Sequence, residues 1–61
     1  MTGIERAILR AGGASKLANT LGVSRQVVSH WRKTGRVPPA HITKVAEATK
    51  MPVSLFFKDW H

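Results

Sequence analysis

The sequence predicts an all-α protein, a small four- to five-helix bundle containing a helix-turn-helix. Three features lead there. Apolar residues recur at the spacing of one helix face in successive segments, Gly or Pro punctuates each boundary, and two of the short segments are joined by the tight turn Leu21-Gly22-Val23-Ser24. A chain of 61 residues has room for one domain, residues 1–61, whose surface is incompletely buried on folding.

The first helix is expected from about Gly3 to Ala11. Thr2 and Glu5 have capping-box spacing, and Ile4, Ala7, Ile8 and Ala11 share a face before Gly12 and Gly13 redirect the chain. Ala14, Leu17, Ala18 and Leu21 repeat the pattern in a second helix that Gly22 ends. Ser24 is a good N-cap for a third helix from Arg25 to Thr34, with Val28 and Trp31 as its inward stripe and Gly35 as its stop. Pro38 and Pro39 forbid continuation, yet proline suits a first helical turn. A fourth helix from about Pro39 to Thr49 follows, with Ile42, Val45, Ala46 and Thr49 on one face. After Pro52, Ser54 is placed to cap a last short turn through Leu55, Phe56 and Phe57 towards Trp60. There is no internal repeat, low-complexity tract or linker.

Ten Lys+Arg against three Asp+Glu leave a formal net charge of +7, which calls for an anionic partner. No acidic residue occurs between Glu5 and Glu47, while Arg25, Arg32, Lys33 and Arg36 crowd one stretch. The absence of cysteine excludes disulfides and thiolate zinc sites and suits a reducing cytoplasm. No apolar run approaches the length of a membrane span, and no signal-peptide core opens the chain. Glu5, Glu47 and Asp59 are too dispersed for acid–base work, and His30, His41 and His61 lack ligand spacing. Neither an enzyme, a metal site, a cofactor nor a small-molecule ligand is therefore expected.

The second and third helices carry the functional signal. Ala18 is small where the next helix must approach, Gly22 permits the turn, and Val23, Val28 and Trp31 fill the space between. Ala18, Gly22, Val23, Val28 and Trp31, set in the run from Ser15 to Arg32, resemble the phage Cro and related YdaS-type repressor families. The resemblance extends from the first helix through Val37-Pro38-Pro39. It implies a lambda-repressor-like helical core that binds operator DNA as a dimer.

At about 100° per residue, Gln26, Ser29, His30 and Lys33 face away from Val28 and Trp31. A polar face at the N-terminal part of such a helix is the geometry of base reading in the major groove. Arg25 suits guanine O6 and N7, Gln26 suits adenine N6 and N7, Ser29 and His30 extend the reading, and Val27 can meet a thymine methyl. For Val27 the alternative is packing beneath the second helix; for the polar residues it is mere solvation of an exposed face. Phosphate contacts are expected from the flanks, at Ser15, Lys16, Ser24, Arg32, Lys33 and Arg36. Ala14 stands where many relatives of this kind carry a Ser or Thr cap, so Ser15 is expected to take over part of the capping. Arg6, Arg10, Lys44, Lys50 and Lys58 read equally well as general surface charge, and Trp31 reads as core rather than as a stacking platform.

Leu55, Phe56, Phe57 and Trp60 exceed what one small core is expected to cover, which predicts homodimerisation through residues 51–61. The alternative is that they complete the monomer core. Two rival functions remain: an antitoxin-like module using Phe56, Phe57 and Trp60 to cover another protein, and nonspecific binding of RNA or single strands. The latter is disfavoured because basic cluster and aromatics are separated in sequence.

Overall fold

The computed structural model describes residues 2–57, so Lys58 and Trp60 lie outside the described residues. Five helices follow in order: α1 (Gly3–Ala11), α2 (Ala14–Leu21), α3 (Arg25–Thr34), α4 (Pro39–Thr49) and the short α5 (Ser54–Phe57). No strand occurs among the described residues.

Local chemistry accounts for the helix starts. The Thr2 hydroxyl accepts from the Glu5 N–H at 3.3 Å, while Glu5 Oε1 accepts from the Thr2 N–H at 3.1 Å, so the expected capping box is formed. Ser24 Oγ accepts from the Val27 N–H at 3.3 Å and begins α3. Pro39 opens α4 at a position where its missing N–H costs nothing.

The stops share one device. Gly12, Gly22, Gly35 and Lys50 each adopt a left-handed backbone, and the next residue donates its N–H to a carbonyl five positions back: Gly13 to Ile8, Val23 to Ala18, Arg36 to Trp31 and Met51 to Ala46. At Gly22, with φ 74°, this reverses the chain within the turn from α2 to α3. Lys50, with φ 56°, is the one described non-glycine residue in this region.

One core runs through all five helices. Ile4 and Ala7 of α1, Leu17 and Ala18 of α2, Val28 and Trp31 of α3, Ile42, Val45 and Ala46 of α4, and Phe56 of α5 are buried together with Val37 and Met51 from the connections. Burying a side chain the size of Leu17 or Ile42 contributes about 1.5–3 kcal/mol, so this cluster supplies most of the drive to fold. Thr49 is the buried polar side chain, and its hydroxyl donates to the Val45 carbonyl at 2.7 Å, which removes the cost of its burial. α2 packs most extensively on α3, and α1 crosses the others, reaching α5 at its N-terminal end.

Phe56 corrects an expectation. It is 1 % exposed, inside the monomer core, and Leu55 packs half-buried against that core. The apolar surface of Phe56 is consumed within one chain, so Phe56 is not a dimerisation residue. Of the tail residues expected to mediate association, Phe57 is exposed (50 %), and Trp60 lies outside the described residues.

Candidate nucleic-acid interface

The pairing of α2 with α3 defines which side of α3 is free. Val28 (0 % exposed) and Trp31 (3 %) anchor the helix to the core. Arg25, Gln26, Val27, His30 and Lys33 are exposed, and Ser29 is half-buried at the margin of that face. Val27 is 37 % exposed, so of its two sequence readings the surface position is the one observed. Ser24 spends an acceptor lone pair on the α3 cap but keeps its hydroxyl proton, so it can still donate to an anion.

At the start of α2 the cap is Gly13, and no side chain caps the helix. Ser15, expected to share that capping, stays exposed and makes no cap bond, which corrects the expectation. Backbone donors and the helix dipole at this end favour an anion, with Ser15 and Lys16 beside them. The Lys16 chain folds over Gly12, where an added Cβ would stand 3.2 Å from Lys16 Cδ and 3.7 Å from Nζ, bringing its ammonium to the same end.

The C-terminal end of α3 forms a corner. His30, Trp31, Thr34, Arg36 and Pro38 line a cleft of about 230 Å³. Thr34 Oγ1 donates to the Trp31 carbonyl at 3.2 Å and reaches the Arg36 carbonyl at 3.5 Å, which ties the helix end to the following loop. Trp31 is walled in by His41 of α4, with ring centroids 5.2 Å apart and planes tilted by 40°. The indole is thus core, as its spacing implied. Thr34 and His41 were not singled out by the sequence pattern, because their partners lie across a turn or on another helix.

Arg32 stands apart from the other expected phosphate contacts. It lines a cleft of about 210 Å³ with Glu5, Ile8 and Leu9 of α1. On the helical wheel it lies about 120° from the centre of the Gln26–His30–Lys33 face. Gln26, His30 and Lys33 therefore share one exposed face with Arg25 and Val27 exposed at its two edges, while Arg32, about two turns along the helix from Arg25, lines the cleft with α1.

Electrostatically the interface is one-signed. Glu5 and Glu47 are the carboxylates of the described residues, neither on α3. Hydrogen bonds from the Thr2 backbone and side chain hold the Glu5 carboxyl below its ordinary value. No group of three or more His, Cys, Asp or Glu side chains that could hold a metal ion occurs among the described residues, and no described helix is long and apolar enough to cross a membrane.

A bundle of five helices whose second and third form a helix-turn-helix with an exposed basic, polar face defines a class: the small all-α helix-turn-helix proteins. Within it, the chain belongs to the family described as bacterial toxin YdaS, whose model matches residues 4–55. That match runs from Ile4 in the first turn of α1 into α5, and it places the chain among small bacterial proteins of the regulatory or toxin type. No curated protein and no solved structure matches the chain.

Proposed function

We propose that this protein is a sequence-specific double-stranded-DNA-binding transcriptional regulator that works without catalysis, lying with α3 in the major groove and repressing by occluding a promoter. The observation that carries this reading is the α3 face: Arg25, Gln26, Val27 and His30 project from a helix clamped from behind by Val28 and Trp31. Side chains on so firmly seated a rod meet base edges with little further ordering. Ser15, Lys16, Ser24, Lys33 and Arg36 flank it as phosphate contacts that set position without choosing sequence. Two copies on a pseudo-palindrome, with half-sites about one helical turn apart, give the reading its length. The site of action is the bacterial cytoplasm.

Selection of bound duplexes from a random pool, followed by chemical-shift mapping of the winner, tests the proposal. A recovered consensus with shifts centred on Arg25, Gln26, Ser29 and His30 supports it. Shifts confined to another face, or recovery of no consensus, sink it.

The family's description as a toxin favours a second reading, in which expression arrests growth. Occupation of essential promoters by the same α3 face is one route; capture of another protein, as an antitoxin-like module would do, is the other. Growth arrest that disappears in an Arg25→Ala/Gln26→Ala variant points to DNA. Arrest that survives it points to a protein partner.

A further inference from the structure

We infer that the α1–α3 flank formed by Glu5, Ile8, Leu9 and Arg32 is the surface on which a second copy of this chain docks. The inference rests on the dimeric reading above and assigns the contact to a face that the tail-based expectation did not include.

Leu9 is the most exposed large hydrophobic side chain described, at 67 %, and it stands beside half-buried Ile8 in the 210 Å³ cleft. A single exposed leucine is ordinary on a protein surface, so charge decides the matter. Two chains of formal charge +7 repel, and a carboxylate that meets a cation across the contact offsets that repulsion locally. The described residues offer two such places. Glu47 lines the cleft between α2 and α4 with Thr20, Leu21, Lys44 and Ala48, where no large apolar side chain stands fully exposed. Glu5 lines the Leu9 cleft together with Arg32.

The Glu5–Arg32 patch is self-complementary, which is what a two-fold contact requires: Glu5 of one copy meets Arg32 of the other and the reverse, with the two Leu9 side chains near the axis. The Thr2 donors both end on Glu5 Oε1, which fixes the carboxylate beside the cleft. Arg32 lies about 120° around α3 from the centre of the Gln26–His30–Lys33 face and about 10 Å along the helix from Arg25, so a copy docked at the α1 cleft leaves those side chains open. A stable pair buries about 800 Å² per partner, roughly a fifth of the 4044 Å² surface. The cleft is a small part of that, so the pair is weak in free solution.

Sedimentation equilibrium of the full chain over rising concentration is the test, with Leu9→Gln as the probing variant because its side chain contributes little to the core. The wild type is expected to dimerise reversibly, and Leu9→Gln to raise the dissociation constant at least tenfold. Glu5→Arg and Arg32→Glu are each expected to weaken pairing, and the double charge swap to restore it, with circular dichroism checking that each variant is folded. Leu9→Gln is expected to bind a short mixed-sequence duplex as the wild type does at low salt, which separates failure of pairing from failure of the DNA reading. A wild type that stays monomeric at millimolar concentration overturns the inference. So does Leu9→Gln dimerising like the wild type, and pairing abolished by Phe57→Lys alone would then assign the contact to the tail.

Discussion

Gly3 and Leu55 approach so closely that a Cβ on Gly3 would stand 2.8 Å from the Leu55 carbonyl oxygen, with Phe56 Cδ1 at 3.1 Å. The obstacle on one side is backbone, which cannot swing aside as a side-chain tip would. The first turn of α1 is thus the seat on which α5 rests, and Phe56 enters the core over it. Gly3→Ala is expected to cost about 1–3 kcal/mol by forcing α5 outward. In a domain of this size each kcal/mol lowers the unfolding midpoint by roughly 4–8 °C, which thermal denaturation followed by circular dichroism resolves. Phe56→Ala is expected to cost more, about 3–5 kcal/mol. An unchanged midpoint in Gly3→Ala would mean that α5 does not dock there.

The reader assignment separates two kinds of variant. Arg25→Ala or Gln26→Ala is expected to lose about 1–3 kcal/mol on the selected duplex and to relax base choice, whereas Arg36→Ala weakens all duplexes alike and flattens the salt dependence. Titrations on selected and scrambled duplexes at several salt concentrations measure this. Equal losses on both duplexes for both kinds of variant would remove the division into readers and anchors.

The capping box makes stability depend on pH. Glu5 is held below its ordinary value by the Thr2 bonds, so the folded chain releases this proton more readily than the unfolded chain. The stabilisation is therefore present above the ordinary carboxylate range and is lost as pH falls through the lowered value. Glu5→Gln keeps the box geometry without the charge. Its unfolding midpoint is expected to lie below the wild type at neutral pH and to converge with it in acid; parallel curves down to pH ~3 would contradict the assignment.

Lys50 occupies a left-handed position that a side chain adopts at a cost, where the other three such helix ends use glycine. Its side chain is exposed and outside the core. Lys50→Gly is expected to stabilise the fold by about 1 kcal/mol, less a few tenths for the greater freedom of glycine in the unfolded chain. Denaturant titration checks it, and destabilisation would show that the lysine side chain makes a contact that outweighs the strain.

Much of the molecule was legible before any fold was seen. Thr2 with Glu5, Ser24 with Val27, the glycines at 12, 22 and 35, and Pro39 act within a few residues of themselves, so α1, α3 and α4 appear with the limits their caps imply. The inward pair Val28 and Trp31 followed from helical spacing, and with it the free face of α3. The start of α2 was less legible, because Gly13 supplies backbone geometry and no side-chain signature.

Helix ends and helix faces were settled locally, since a cap bond or a left-handed stop closes over three to five residues whatever the rest of the chain does. The fate of Phe56, the turning of Arg32 towards Glu5 and Leu9, and the seating of His41 on Trp31 were decided by how the helices cross. Those contacts join residues far apart along the chain, and their energy exists only once the core has brought the helices together. Periodicity can say that an aromatic belongs on an apolar face, but packing alone says whether that face meets its own core or another molecule.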